Sequence, residues 1–519
     1  MAVKKKEISM EESLWQSATK LRGTVETGEY KHVVLGLIFL KFASDKFYYR
    51  RQELKDEGKE QFLEMAEFYN MDNVFFLYEK SRWDFIVKNS KQNNISLLID
   101  EALSKIEKDN PSLKGALPKN YYSSLNMNTN KLSALIDTIN NINTIGDEEE
   151  DTMGRIYEYF LKKFAIAEGK GKGEFYTPKS IVNLLASLIE PYDGIIYDPC
   201  CGSGGMFIQS MKFVENHQGN KKNISIYGQE QVGATYRLAK MNLAIRGISA
   251  DLGERPADTF LEDQHKDLKA DYIMANPPFN LRDWRADNEL QDDPRWRGYD
   301  IPPKSNANYG WILNMVSKLS DNGVAGFILS NGALSESGEE YKIRKKLVEN
   351  NLIEAIIIIP RDTFYNTDIS VTLWIINKNK NERSLKINED LRKYRSRAYE
   401  ILFMDLRLWG SKTEKKYIEL TKEDIEKICS NYQNWQQEQY EVTYKDIPEY
   451  CKSVDIKEIK RNDFSLIPSK YIEFVDKDTD IDFDTEMRRI QQNFTELIRE
   501  EEDSQKKLIE AFKVLGYDI

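Results

Sequence analysis

Asp271-Tyr272-Ile273-Met274-Ala275-Asn276-Pro277-Pro278-Phe279 sets an amide, two prolines and an aromatic ring at the end of an apolar run. Tyr272, Ile273 and Met274 suit a buried strand. Two successive prolines remove backbone donors and fix φ, so the strand must end at Ala275. Pro277 also drives Asn276 out of the helical region, which holds the Asn276 side chain and the nearby carbonyls as acceptors facing a crevice. An exocyclic amino group is the natural donor for such acceptors, and Phe279 offers a flat face to a planar base. Alone, Asn-Pro-Pro is also an ordinary way to open a turn. The segments around it decide between the two.

Ile195-Ile196-Tyr197-Asp198 reads as a short buried strand, and Pro199-Cys200-Cys201-Gly202-Ser203-Gly204-Gly205 as a glycine loop leading into a helix over 206–214. This is the opening of a doubly wound sheet, whose ligands sit beyond the carboxyl ends of the strands. Neither the G-x-G-x-x-G register nor the lysine of a phosphate loop follows Asp198, which counts against a nicotinamide dinucleotide or a nucleoside triphosphate. A second strand over 224–228 ends at Gln229-Glu230, where an acid can accept from ribose hydroxyls. Asp258, behind a third and poorly patterned segment, is a candidate for contacting an adenine amino group. Upstream, Glu174-Phe175-Tyr176-Thr177-Pro178-Lys179 precedes an apolar helix over 180–189. Backbone donors at that helix start, with aromatics beside them, suit a carboxylate and a small organic ligand; a capped surface turn is equally consistent.

The elements that must position these residues alternate. Helices over 234–246, 311–319 and 339–349 and strands over 323–329, 353–359 and 372–376 predict a mostly parallel sheet covered on both faces. Residues 1–150 read as a helical domain, in which 32–42 are apolar nearly all round and hence a buried helix. Cations between Lys46 and Lys55 suit either phosphate or a solvated helix face. Residues 151–380 form the expected catalytic domain, and 381–519 a charged C-terminal region. In that region 398–404 reads as a peripheral strand, 421–434 as a peripheral helix and 484–514 as a long amphipathic helix that must lie on its own domain or on a partner. The loop between Asn280 and Asn308 carries Arg282, Trp284, Arg285, Arg295, Trp296, Arg297 and Tyr299, a mixture that fits nucleic acid or, equally, packing over the domain.

The bounds are consistent with this. A net charge of -11 argues against a chain that grips nucleic acid unaided over a wide basic face. Four cysteines and three histidines show no disulfide framework and no metal-ligand spacing, so no metal site is expected. No apolar stretch reaches the roughly 18 residues of a membrane span and no signal region follows Met1, so a cytosolic protein is expected.

With these motifs in hand, the chain resembles the modification subunit of Type I restriction-modification systems. The segment from Leu14-Trp15 to Arg22 and the helices after it resemble that family's N-terminal domain, and 153–376 its methyltransferase domain. Glu174 to Lys179, Asp198 to Gly205, Glu230, Asp258 and Asn276 to Phe279 follow the family's motif order; Cys200-Cys201 replaces its commoner small residues. The resemblance implies a Rossmann-like S-adenosylmethionine-dependent methyltransferase acting on adenine N6 in double-stranded DNA. It assigns Asn276, Pro277, Pro278 and Phe279 to catalysis. To the cofactor it assigns Glu174, Phe175, Tyr176, Thr177, Pro178, Lys179, Asp198, Cys201, Gly202, Ser203, Gly204, Gly205, Glu230 and Asp258. It implies two such chains on one specificity subunit that reads the DNA, with restriction subunits added for cleavage. A glutamine side chain of a protein as methyl acceptor, and a silent assembly subunit, are the competing readings.

Overall fold

The computed structural model describes residues 10–19, 27–142, 144, 156, 158–163, 177–217, 219–364, 369–387, 390–413, 417–475 and 482–514. It divides into two bodies, Met1–Ile472 and Glu473–Ile519.

In the first body the N-terminal part is helical. Helix α1 (Thr27–Asp56) buries Val33, Val34, Leu35, Leu37, Ile38, Phe39 and Leu40 completely, as expected of a segment apolar on every side. Amphipathic helices α2 (Ile95–Asp109) and α3 (Thr129–Asn140) pack into the same core through Ile99, Leu103, Leu132 and Ile136. The basic stretch near the end of α1 binds protein: Arg50 pairs with Glu53, Glu57 and Asp72, and Arg51 with Glu64.

An eight-stranded sheet follows. Its strands are β1 (Gly194–Asp198), β2 (Ile224–Gly228), β3 (Ala270–Ala275), β4 (Leu319–Ser330), β5 (Ile353–Ile358), β6 (Val371–Asn377), β7 (Glu400–Asp405) and β8 (Cys451–Asp455), in the order β8-β7-β5-β6-β4-β3-β1-β2. The β1/β2, β1/β3, β3/β4 and β5/β7 pairs are parallel; β6, inserted between β4 and β5, is antiparallel to both, and β8 to β7. Successive residues alternate faces. Ile273 and Phe327 join a core with helices α7 (Asn308–Lys318) and α8 (Gly338–Glu349), whereas Met274 and Ile328 join one with α4 (Lys179–Ile189). The doubly wound, mostly parallel sheet expected from the sequence is thus present.

Two expectations need correction. The segments at 400–405 and 422–436 are not peripheral: β7 pairs with β5, and helix α9 (Lys422–Gln436) buries Ile428, Cys429, Tyr432 and Trp435 in the core that contains Leu185. The sheet therefore runs past the boundary placed at 380. Leu238 and Met241 of helix α6 (Gly233–Ile245) belong to the N-terminal helical core, so that core also packs against the sheet-bearing part of the chain. The poorly patterned third segment is a single parallel bridge, Tyr227 to Asp251, at the sheet edge.

Among the described residues the second body holds one helix, α10 (Phe483–Val514), whose Met487, Ile490, Phe494, Leu497 and Ile498 are exposed.

Candidate active site

The chain runs from β1 outward to β2 and then back to β3 on the other side of β1. That reversal opens a crevice at the carboxyl ends of β1 and β3. Since Ile196 pairs with Tyr272 and Tyr197 with Ile273, the glycine loop after β1 and the Asn-Pro-Pro corner after β3 emerge about 4.8 Å apart in the hydrogen-bonding direction.

At the corner, Asn276 Nδ2 donates to Thr177 Oγ1 at 3.0 Å. With its nitrogen so engaged, Asn276 presents Oδ1, which is buried and accepts no hydrogen bond from any described residue. A buried acceptor left unmet costs about 1–3 kcal/mol, and an amino group set against it removes that cost. Pro277 is buried and Pro278 half-buried. Phe279 is 8% exposed and meets Phe364 edge to face, with ring centroids 6.1 Å apart. Asn280 follows at φ +53°, a left-handed conformation that asparagine tolerates. Its N–H donates to Asn308 Oδ1 at 3.1 Å. Its Oδ1 accepts from Ser330 Oγ at 2.8 Å, Asn308 Nδ2 at 2.9 Å and Asn306 Nδ2 at 3.4 Å.

The glycine loop turns sharply into helix α5 (Gly205–Asn216) through Gly202 at φ +54° and Gly204 at φ +78°, where a Cβ would be strained. Asp198 Oδ1 accepts from Cys200 N at 3.0 Å, and Asn242 Nδ2 donates to the Ser203 carbonyl at 2.8 Å. Glu230 is held against the loop: Oε2 accepts from Gly202 N at 3.0 Å and Oε1 from Val232 N at 2.7 Å. Asp258 Oδ1 accepts from Phe260 N at 2.7 Å and Leu261 N at 3.1 Å, and Ala257 N donates to the Glu230 carbonyl at 3.0 Å. So Asp198, Gly202, Ser203, Gly204, Gly205, Glu230 and Asp258 form one rim. Cys201 lies beneath it, 5% exposed, and burial pushes both loop thiols well above the ordinary value. Neither is a ready nucleophile.

Sequence reading passed over Gln229. Fully buried, it donates from its backbone to the Asp198 carbonyl at 3.0 Å and from Nε2 to the carbonyls of Ala257 at 3.2 Å and Glu262 at 2.7 Å. It thereby ties the ends of β1 and β2 to the Asp258 segment. Nothing in a glutamine beside an acid signals that role.

On the other side of the crevice, Pro178 caps α4, and Lys179 pairs with Glu158 at 3.0 Å. Thr177 is brought to Asn276 as described; Glu174, Phe175 and Tyr176 lie outside the described residues.

Packing decides most of the aromatic loop. Trp284 and Trp296 are buried, and Phe260 lies 4.4 Å from Trp284 and 4.2 Å from Trp311. Arg295 pairs with Asp293 at 2.7 Å and donates to the carbonyls of Thr259 and Phe260. Arg285 donates to the carbonyls of Ala286 and Pro302. Arg282 and Arg297 are exposed.

Burial raises Asp198 from the ordinary 3.8 to about 7, against the pull of Cys200 N–H. The raised value means that this group favours the folded state fully below the ordinary pKa, a contribution lost as pH rises through about 7. A cationic ligand beside Asp198 must find it ionised. For S-adenosylmethionine held beside Asp198, as the resemblance implies, affinity is expected to rise between pH 6 and pH 8, by at most about tenfold per unit for one coupled proton. Calorimetric titration checks this, and Asp198→Asn should flatten that component.

Residues 148–480 match the family model of the N-6 DNA methylases, and 10–139 that of the HsdM N-terminal domain. The Type I restriction enzyme MjaIX methylase subunit of Methanocaldococcus jannaschii is 36% identical, over 98% of this chain and 91% of its own. The HindI methylase subunit of Haemophilus influenzae is 40% identical, over 79% of this chain and 89% of its own. In fold, the chain is similar to the crystal structure of a Type I restriction-modification methyltransferase subunit from Streptococcus thermophilus. The TM-score is 0.72 at 24% identity, covering 89% of this chain and 99% of that one. On the strength of the matched models and these relatives, the chain belongs to the N-6 DNA methylases and, among them, to the methylase subunits of Type I restriction enzymes.

Proposed function

We propose that this subunit methylates N6 of an adenine flipped out of double-stranded DNA, with Asn276, Pro277, Pro278 and Phe279 holding the base. The observation that carries the reading is Asn276 Oδ1, a buried acceptor at the mouth of the switch-point crevice with no donor among the described residues. Asn276 Oδ1 and the Pro277 carbonyl accept from the two N6 hydrogens and orient the nitrogen lone pair. Phe279 stacks on the ring. Pro277 and Pro278 fix the backbone between them, so the geometry is set before the base arrives.

The family uses S-adenosylmethionine, and the rim suits it: a glycine turn that lets backbone approach closely, a carboxylate at Glu230 for ribose hydroxyls and Asp258 for the adenine amino group. Glu174, Phe175, Tyr176, Thr177, Pro178 and Lys179 take the methionine end. When bound, the cofactor supplies an electrophilic methyl group. Charge that develops on N6 is met by Asn276 Oδ1 and the Pro277 carbonyl, so the protein's part is positioning and electrostatics.

The chain acts in a complex. Two copies joined to one specificity subunit, with restriction subunits added, explain how an acidic chain meets DNA: the partner supplies much of the grip and all of the sequence reading. Exposed Arg282, close in sequence to Phe279, is positioned to add local positive charge, and the exposed apolar face of α10 suits the specificity subunit.

DNA with 2-aminopurine at the target adenine tests the flipped state. Emission is expected to rise when the complex of this chain with its specificity subunit binds, and to rise further with Phe279→Ala, which removes the quenching ring. Unchanged emission on binding by the unsubstituted complex would contradict the proposal.

A further inference from the structure

We infer that Asn280 is a positioning residue for methyl transfer and that it acts through its side-chain oxygen; the inference rests on the functional reading above. Two segments far apart in sequence converge on that oxygen through three donors. Ser330 at the end of β4 donates at 2.8 Å, Asn308 at the start of α7 at 2.9 Å, and Asn306 in the preceding loop at 3.4 Å. Asn308 is fully buried and Ser330 is 2% exposed, so these donors are fixed by the core. Asn308 also closes the pair in reverse, accepting from Asn280 N at 3.1 Å. The next residue is tied as well, since Ala307 N donates to the Leu281 carbonyl at 2.9 Å.

Asn280 directly follows Phe279, and the two prolines before Phe279 leave little freedom between it and Asn276. Asn276 is anchored from the front by Thr177, and the Asn280 oxygen anchors the far end of the same corner. Without that anchor, Phe279 and the Asn276 acceptor can shift against the bound base, and a misplacement of about 1 Å costs roughly 10²-fold in rate. The hydrogen bonds described use only the oxygen of the Asn280 amide; its Nδ2 takes part in none of them. That asymmetry separates two explanations for an asparagine here. If only the left-handed backbone matters, glycine serves as well. If the acceptor matters, aspartate serves and glycine fails, because aspartate accepts at the same place and tolerates the same φ.

The test is made on the complex with its specificity subunit, comparing Asn280→Gly, Asn280→Ala, Asn280→Asp and Ser330→Ala. Glycine and alanine are expected to lower kcat by about tenfold to 10²-fold, with the Kd values for S-adenosylmethionine and DNA retained. Asn280→Asp should recover most of kcat, and Ser330→Ala, which removes the shortest donor, should lower it severalfold. Asn280→Gly with unaltered kcat, or Asn280→Asp as poor as Asn280→Gly, overturns the inference. Should the glycine and alanine variants fail to fold, full activity in Ser330→Ala overturns it. An unsubstituted complex that transfers no methyl group to DNA speaks against the functional reading; an active one beside an unaffected Asn280→Gly speaks against the positioning role alone.

Discussion

Replacing Asn276 by alanine is expected to lower kcat for methyl transfer by about 10²–10³-fold, the usual cost of losing one preorganised polar group at a developing charge. The Kd for S-adenosylmethionine should change by much less, because the rim proposed to hold it is built mainly from the ends of β1 and β2 and the Asp258 segment, with Thr177 as the one proposed cofactor contact that Asn276 touches. The split follows from what Asn276 touches. Its Nδ2 is held by Thr177, and its Oδ1 is offered to the incoming amino group. Single-turnover kinetics with saturating cofactor, beside calorimetry for binding, measures both quantities. A parallel loss of cofactor affinity would instead assign Asn276 to the cofactor side of the crevice.

Glu354→Ala is expected to destabilise the first body by about 3–5 kcal/mol, since it leaves Arg397 buried without its counter-charge. Both side chains are fully buried, with Arg397 Nε 2.7 Å from Glu354 Oε1. Gln436 and Asn377 donate to the same carboxylate, and Lys380, donating to the carbonyls of Ile353 and Glu400, adds a second buried cation nearby. Burial works to raise the Glu354 pKa, but Arg397, Lys380 and the Asn377 hydrogen bond hold it below the ordinary value. The depressed pKa gives a contribution present above the ordinary carboxylate range and lost as pH falls through the lower folded value. Burial meanwhile brings Lys380 down to about 8. Glu354 stands near the amino end of β5, whereas the crevice lies at carboxyl ends, so activity per folded molecule should survive. Urea unfolding measures the loss, and a change below about 1 kcal/mol would mean that the pair contributes no more than an exposed one.

What could be read from the sequence was what local chemistry dictates. Two prolines end a strand wherever it lies, so β3 stops at Ala275 as expected. The glycine loop, with φ values of +54° and +78° at Gly202 and Gly204, needs those residue types at those positions. Long-range pairing left weaker traces. Strand β7 joins the sheet by pairing with β5, and β8 by pairing with β7. A short apolar run at 400–405 looks the same on a sheet edge as within it, so it read as peripheral. The aromatic loop was open to two readings because tryptophan and arginine serve stacking and packing alike; only the contacts with Phe260 and Asp293 separate them. Gln229 and Asn280 were invisible for a related reason. Each is a polar residue whose importance lies in the carbonyls and amides that the fold brings to it from distant segments.

The most direct test of the central claim is to supply methyl-labelled S-adenosylmethionine to the complex of this chain with its specificity subunit and target DNA, then identify the labelled product after digestion. The account predicts label in N6-methyladenine, reduced about 10²–10³-fold in rate by Asn276→Ala. Label in a protein glutamine, or none in DNA from a complex that binds both cofactor and DNA, would contradict it.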